Sequence, residues 1–115
     1  MNEEIFNLQP QALWKHFQQL LNIPRPSKKE EKVIAFMKKF GEDLGLQTIV
    51  DETGNVIIRK PASPGMENRM GVILQGHLDM VPQKNSDTWH DFETDPIQAF
   101  IDGDWVKAKG TTLGI

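Results

Sequence analysis

The feature that most constrains the fold is a short apolar run that ends in a histidine and an aspartate. Residues 71–79 read Gly-Val-Ile-Leu-Gln-Gly-His-Leu-Asp. An apolar run of this length is typical of a buried sheet strand, and we predict a strand over about 70–77. Because side chains alternate along a strand, His77 and Asp79 would project to the same side if the strand continues through them. Open α/β folds keep their functional sites at the carboxyl ends of such strands.

The residues alone leave two interpretations of this pair open. Imidazole is the commonest transition-metal ligand, and a metal-bound histidine usually donates its other ring N–H to a carboxylate or a carbonyl. In that interpretation, His77 is a metal ligand and Asp79 accepts its hydrogen bond. In the other, the pair lies at the start of a solvated loop, and Asp79 bonds to its own backbone. Gly76 favours the site, because glycine within a strand often marks a bend or a close backbone approach.

Composition excludes several classes of protein. The 115 residues, 38% hydrophobic and 25% charged, fit a single globular domain. A net charge of −3 without a long basic block argues against nucleic acid or a membrane surface as the partner. With no membrane-length apolar run and no basic, apolar leader, we expect a cytoplasmic protein. Because cysteine is absent, a bound metal would need His, Asp, Glu or water as ligands, which suits zinc or manganese.

The hydrophobic pattern predicts two helices in the first 45 residues. The first should begin near Pro10, because a proline suits the first turn, and it should end before Pro24. Ser27 and Glu30 have the spacing of a capping box, which predicts the start of a second helix. Gly45 follows the last apolar position of this helix, where a left-handed C-cap belongs.

Short strands are predicted after the helices. Leu46–Val50 and Val56–Arg59 flank a connection that contains Gly-Asn, and Phe100–Val106 carries a central Asp-Gly; both are signals of hairpin turns. The order of two helices, short strands and a hairpin indicates an α/β layer. Helices cover both faces of an α/β sheet, so more than the two predicted helices would be needed to complete such a layer.

Longer runs of the sequence match a known family. They are Ile23-Pro24, Pro26-Ser27, Gly54–Val56, Arg59–Ala62, His77–Asn85, His90–Phe92, Asp95–Ile97, Ile101–Gly103, Trp105–Ala108 and Gly110–Gly114. With these runs the chain resembles the di-zinc peptidases related to aminoacylase, carboxypeptidase G and peptidase T. Within that group it is most similar to the aminoacyl-histidine dipeptidases, also called Xaa-His dipeptidases or bacterial carnosinases. The matches cover nearly the whole chain.

The resemblance implies that residues 1–115 form the N-terminal part of a three-layer α/β/α zinc-peptidase catalytic domain. It implies that His77 ligates one of two zinc ions, with cobalt or manganese as alternatives, and that Asp79 accepts the hydrogen bond of the ring. In the family, Gly-Thr-Thr-Leu-Gly-Ala is followed by an aspartate that bridges the metals, whereas Gly114 is followed here by Ile115. We therefore expect an incomplete domain.

Two functional hypotheses follow from the resemblance. The first is part of a metal-dependent dipeptidase that hydrolyses Xaa-His and related dipeptides through a water activated by two metals. In this hypothesis the chain is inactive by itself. The partner of the complete enzyme is the dipeptide substrate, and the hypothesis is compatible with a homodimer. The alternative is a non-catalytic fragment that associates with other subunits, because unpaired strand edges favour association. His90, although it lies in a matched run, is assigned no metal in either hypothesis.

Overall fold

A computed structural model of the chain describes residues 3–114, so Ile115 and the first two positions of the predicted 1–115 domain lie outside the described residues. The chain divides into two compact units, one of residues up to Val33 together with Asp79 onward, the other Ile34–Leu78. The elements are a 3-10 helix (Glu3–Asn7), α1 (Gln11–Leu21), α2 (Glu31–Asp43), β1 (Gln47–Val50), β2 (Val56–Arg59), β3 (Ala99–Asp102) and β4 (Trp105–Ala108). This order confirms the predicted two helices followed by short strands.

Helix α1 provides much of the core of the first unit. It begins directly after Pro10, whose extended backbone (φ −74°, ψ 133°) precedes the first turn, as the sequence predicted. Its last residue, Leu21, is buried in a cluster with Ile5, Met80 and Ile97. Burial of such side chains contributes roughly 1.5–3 kcal/mol each. Within residues 3–114, no helix is both long enough and apolar enough to cross a membrane.

The predicted capping box before α2 is wrong. The helix begins at Glu31, and the Glu30 carboxylate accepts a hydrogen bond from the backbone N–H of Lys28 (2.8 Å). Lys28 has a φ of 78°, a left-handed conformation. The left-handed Lys28 cannot be the first helical residue after Ser27, and the Ser27 hydroxyl donates to Asp79 Oδ2, whereas an N-cap oxygen would accept from a backbone N–H of the first turn.

The predicted glycine cap at the end of α2 is confirmed. Gly45 has a φ of 72°, which glycine adopts without a Cβ penalty. Its N–H donates to the carbonyl of Glu42 (2.9 Å), and the N–H of Leu46 donates to the carbonyl of Gly41 (3.1 Å). These two bonds define a Schellman motif, which satisfies carbonyl groups at the helix end.

Both predicted hairpins are present, one in each unit. Strands β1 and β2 pair antiparallel, from Gln47 opposite Arg59 to Val50 opposite Val56. Strands β3 and β4 pair in the same way, and Gly103, with a φ of 60°, lies in their tight turn. The sequence signals for these hairpins are local, so they required no knowledge of the rest of the fold.

The predicted strand over 70–77 is wrong. No strand is formed there, and the side chains of Val72, Ile73 and Leu74 are 81%, 91% and 92% exposed. The physical reason is that a strand exists only when a neighbouring strand takes up its backbone hydrogen bonds. Among the described residues, β1 pairs with β2 and β3 with β4, which leaves no strand beside this run.

Candidate functional site

The backbone that follows the motif is fixed by a short parallel pairing within the first unit. The N–H of Met80 donates to the carbonyl of Arg25 (2.9 Å), and the N–H of Ser27 donates to the carbonyl of Met80 (3.1 Å). Pro26 and Met80 form the corresponding parallel bridge. The side chain of Met80 is 2% exposed in the core. This pairing therefore holds Asp79 in place through its neighbour in the chain.

Asp79 also receives a direct side-chain contact from the same segment. The Ser27 hydroxyl donates to Asp79 Oδ2 at 2.6 Å, and the same hydroxyl lies 3.2 Å from the carbonyl oxygen of Met80. A hydroxyl has one proton to donate, and a distance of 2.6 Å is typical of an O–H donor on an ionised carboxylate. The carboxylate is therefore the main acceptor.

A positive charge lies next to this carboxylate. Arg25 Nη1 is 3.4 Å from the carbonyl oxygen of Asp79, which is a long hydrogen bond. Partial burial of the guanidinium lowers the pKa of Arg25, and the negative charge of Asp79 opposes that shift. The arginine remains charged at neutral pH and balances the charge of the half-buried carboxylate.

His77 belongs to the second compact unit and Asp79 to the first. Its side chain is exposed, and neither His77 nor Asp79 lies in a strand. The alternation of side chains along a strand, from which we predicted that both project to one side, therefore does not apply here. Their roles as metal ligand and hydrogen-bond acceptor stay predictions.

Two of the runs that carry the family resemblance are joined by hydrogen bonds. The Thr112 hydroxyl donates to the carbonyl of Val81 (2.6 Å), and the N–H of Thr112 donates to the carbonyl of Gln83 (2.9 Å). The N–H of Asn85 donates to the carbonyl of Gly110 (2.8 Å). The segment that follows Asp79 is thus attached to the Gly-Thr-Thr-Leu-Gly run near the end of the chain.

His90 lines a cavity of the first unit. This cavity has a volume of about 570 Å³, and Trp89, Asp95 and Lys109 also line it. The His90 ring packs on Phe92 with 4.6 Å between ring centroids. Its Nε2 atom is buried and has no hydrogen-bond partner among the described residues.

The described residues do not form a complete metal site. Nowhere in residues 3–114 do three His, Asp or Glu side chains come together as a metal ion would require. Catalytic zinc sites use three protein ligands and an open position. Sequence reasoning also missed Ser27 and Arg25 as contacts of Asp79, because they lie 52 and 54 residues away along the chain and carry no local signal of that contact.

Comparison with known proteins gives relatives along almost the whole chain. No protein-family profile matches the sequence. The chain is 54% identical over 111 residues to the cytosol non-specific dipeptidase of Escherichia coli (strain K12). This match covers 96% of the chain and 23% of the dipeptidase. The crystal structure of aminoacylhistidine dipeptidase from Vibrio alginolyticus matches with a TM-score of 0.94 and 55% identity, over 97% of this chain and 23% of that one. The chain spans 23% of the length of these relatives. Both relatives are dipeptidases, enzymes that hydrolyse peptide bonds, so the resemblance seen in the sequence is confirmed.

Proposed function

We propose that residues 1–115 form part of the catalytic domain of a metal-dependent dipeptidase. The observation that carries the proposal is the combination of 54% identity over 96% of the chain with a TM-score of 0.94 over 97% of it. In this function His77 ligates zinc, and Asp79 accepts the hydrogen bond of its ring.

The chemistry of these two residues fits that role. His77 is exposed and can present a ring nitrogen to a metal, and Asp79 is a carboxylate fixed by Ser27. When bound, a pair of zinc ions supplies an activated water and a Lewis acid for the scissile carbonyl. The described residues contribute the imidazole and the group that orients it, while the other ligands must come from elsewhere.

The names of the relatives support the proposed substrate and compartment. One relative is named for aminoacylhistidine and the other is called non-specific, so we propose dipeptides, with Xaa-His among them. The name of the second relative also places that protein in the cytosol, and we propose the same compartment here. Cobalt or manganese could replace zinc, because they accept similar nitrogen and oxygen ligands.

The test compares two proteins, the 115-residue chain and a complete dipeptidase of the relatives' length that carries residues 1–115. With added zinc, the complete protein should hydrolyse an Xaa-His dipeptide, and His77→Ala should abolish this hydrolysis. The 115-residue chain alone should show no turnover above a control without enzyme. His16→Ala, which removes an exposed imidazole on α1, should leave the activity of the complete protein unchanged. Unchanged hydrolysis in His77→Ala would refute the proposal.

A second candidate function is association with other subunits without catalysis. The observation that favours it is the exposed run from Met70 to Leu74, in which Met70 is 93% exposed and Leu74 is 92% exposed. Exposed apolar segments of this kind favour contacts between chains. Sedimentation of the 115-residue chain, alone and mixed with a complete dipeptidase, tests it. Asp replacing both Ile73 and Leu74 should abolish any complex that depends on this run.

A further inference from the structure

The cavity that His90 lines is bounded by residues of three segments of the first unit, 88–90, 95–98 and 109–110. Backbone hydrogen bonds tie these segments together. The N–H of Lys109 donates to the carbonyl of Gln98 (2.8 Å), one step beyond the β3–β4 pairing. Asn85 connects the other two, because its N–H donates to the carbonyl of Gly110 (2.8 Å) and its carbonyl accepts the N–H of Thr88 (3.0 Å). The walls of the cavity are therefore preformed.

The closest approach of two walls requires a glycine. Gly110 has a φ of 75°, and a Cβ at this position would collide with the Thr88 hydroxyl. Glycine permits both the left-handed backbone and the close contact. The cavity that remains has a volume of about 570 Å³, within the range of roughly 300–1,000 Å³ that small-molecule sites have.

Two opposite charges line the cavity without being paired with each other. Lys109 is exposed, and within residues 3–114 its ammonium makes no ion pair or side-chain hydrogen bond. Asp95 Oδ2 accepts the N–H of Asp91 (2.9 Å), while Asp95 Oδ1 has a long contact of 3.4 Å with Thr94 Oγ1. Because a carboxylate has about four acceptor positions, Asp95 can accept a further donor. A molecule that carries both an ammonium and a carboxylate would match both charges.

Trp89 adds an aromatic surface to the same cavity. The residue is 84% exposed, so its indole is open to contact. Exposed apolar surface rimmed by polar groups is typical of ligand-binding grooves, and aromatic rings attract one another in offset-stacked or edge-to-face arrangements. The cavity therefore combines a cation, an anion and an aromatic ring.

We propose that this cavity binds a free α-amino acid with an aromatic side chain. Its carboxylate would lie at Lys109, its ammonium at Asp95 and its ring against Trp89. A ligand with a single charge would leave one of the two charged groups unmatched. The site uses neither His77 nor Asp79, so it goes beyond the proposed function and does not depend on it.

The first test follows the backbone and indole N–H signals of the 115-residue chain by NMR during a titration with L-phenylalanine. Saturable shifts are expected at Trp89, Gln98 and Lys109, with a Kd on the order of 1 mM, as suits a ligand of this size. 2-Phenylethylamine lacks the carboxylate and 3-phenylpropionate lacks the ammonium. Each should bind about 10-fold more weakly, because each loses one charged contact. Absence of saturable shifts at these residues, or equal affinity for all three molecules, overturns the proposal.

Two charge variants assign the ends of the ligand. Lys109→Met keeps an unbranched stem and should weaken L-phenylalanine about 10-fold while leaving 2-phenylethylamine unchanged. Asp95→Asn keeps an oxygen acceptor for the Asp91 N–H and should weaken L-phenylalanine to a similar degree, with 3-phenylpropionate unchanged. Lys15→Met, which removes an exposed cation on α1, is the matched control and should alter none of the affinities. Unchanged binding of L-phenylalanine in Lys109→Met overturns the proposal, as does an equal loss for 2-phenylethylamine.

A third variant tests the aromatic contact. The parent should bind L-phenylalanine about 10-fold more tightly than L-alanine, and Trp89→Leu should remove this preference. A preference that persists in Trp89→Leu overturns the assignment of the ring. Backbone amide spectra establish that each variant is folded. Should Asp95→Asn fail to fold, Lys109→Met decides, because the Lys109 ammonium has no partner within residues 3–114 whose loss could unfold the chain.

Discussion

The Ser27 hydroxyl donates a 2.6 Å hydrogen bond to Asp79 Oδ2 and connects two segments that are 52 residues apart. The contact lies immediately beside the parallel bridge of Pro26 and Met80. The buried Met80 and its backbone hydrogen bonds hold the backbone next to Asp79, and the Ser27 hydroxyl contacts the carboxylate itself. The apolar run before Asp79 belongs to none of the strand pairs of the described residues.

Replacement of Asp79 should impair the complete dipeptidase without removing a metal ligand. We expect Asp79→Ala to lower zinc affinity or kcat/KM by about 10- to 100-fold, because the imidazole of His77 loses the group that fixes its orientation. Zinc content and steady-state kinetics measure the effect. Asp104→Ala, which removes an exposed carboxylate from the β3–β4 turn, is the control. If Asp79→Ala matched the parent in both measurements, the assigned role of Asp79 would be wrong.

Asp51 should make the first hairpin sensitive to acid. Its carboxylate accepts hydrogen bonds from the backbone and side chains of Thr53 and Asn55, and these bonds, those of Asn55 above all, lower the pKa of Asp51 from 3.8 to about 2. As pH falls, the Asp51 carboxylate is therefore protonated at a higher pH in the unfolded chain than in the folded one. The stabilisation of the folded chain by these hydrogen bonds is present above about pH 4 and is lost towards pH 2.

An NMR titration of the Asp51 side chain measures this directly. The carboxyl should titrate near pH 2, and the Asn55 amide should shift with the same midpoint. In Asp51→Asn the loss of hairpin stability between pH 4 and pH 2 should be smaller than in the parent. A midpoint of Asp51 close to 3.8 would contradict the predicted effect of these hydrogen bonds.

Gln18 should reduce the stability of the first unit. The side chain is 1% exposed, and neither its amide nitrogen nor its amide oxygen has a hydrogen-bond partner among the described residues. A buried polar group without a partner costs about 1–3 kcal/mol. Gln18→Met, which keeps an unbranched side chain of similar length, should therefore raise the free energy of unfolding by an amount of that order.

Urea denaturation of the 115-residue chain measures this change. Gln11→Met, at an exposed position of the same helix, should stay within about 0.5 kcal/mol of the parent, as is usual for surface substitutions. A loss of stability in Gln18→Met would show that the amide has a partner outside the described residues.

Gly41 should be required for the packing of α2 on the β1–β2 hairpin. A Cβ at this position would lie 2.2 Å from Thr48 Oγ1 and 3.0 Å from Ile58 Cγ1. In a helix, Gly→Ala ordinarily stabilises by about 1 kcal/mol. Thr48 is stiff about its first torsion and its hydroxyl donates to the carbonyl of Leu46, so it cannot move aside at low cost.

We therefore expect Gly41→Ala to destabilise the chain by about 1–3 kcal/mol, the usual range for overpacking. The same substitution in a Thr48→Ala background should cost less, because the closest contact is gone. Thermal unfolding of the two single variants and the double variant measures the difference. Equal costs in both backgrounds would mean that Thr48 is not the obstacle.

The elements with local signals could be predicted from the sequence. Pro10, the Gly45 cap and both hairpin turns depend on backbone preferences of a few neighbouring residues, and each is confirmed. The capping box failed because Lys28, which would be the first helical residue after Ser27, has a left-handed φ of 78°, and α2 begins only at Glu31. Leu13 is an apolar residue of α1, yet its side chain is 54% exposed, because a hydrophobic pattern does not specify which partner covers a helix face.

The candidate site was predicted only in part for the same reason. The residue types and their spacing selected His77 and Asp79 as candidates, whose roles stay predictions, and the long matched runs identified the relatives. The apolar run before them was predicted as a buried strand because its composition indicates burial. Burial requires a neighbour, however, and composition carries no information about which segment that neighbour is. Ser27 was likewise unpredictable as a contact of Asp79, since nothing local indicates a bond across 52 residues.

The last prediction concerns zinc binding by the 115-residue chain. One imidazole with a carboxylate behind it offers a single strong ligand, and no three candidate ligands come together within residues 3–114. We therefore expect a Kd no better than about 1 mM, near 4 kcal/mol of binding free energy, against roughly 10–16 kcal/mol for structural zinc sites. Titration calorimetry on the metal-free chain separates these cases, with His16→Ala as the control for an imidazole elsewhere. A stoichiometric site of micromolar or better affinity that disappears in His77→Ala would contradict the prediction. The missing ligands would then be local carboxylates such as Asp102, which is paired with Lys107 at 2.6 Å, or Asp104, or groups of a second copy of the chain.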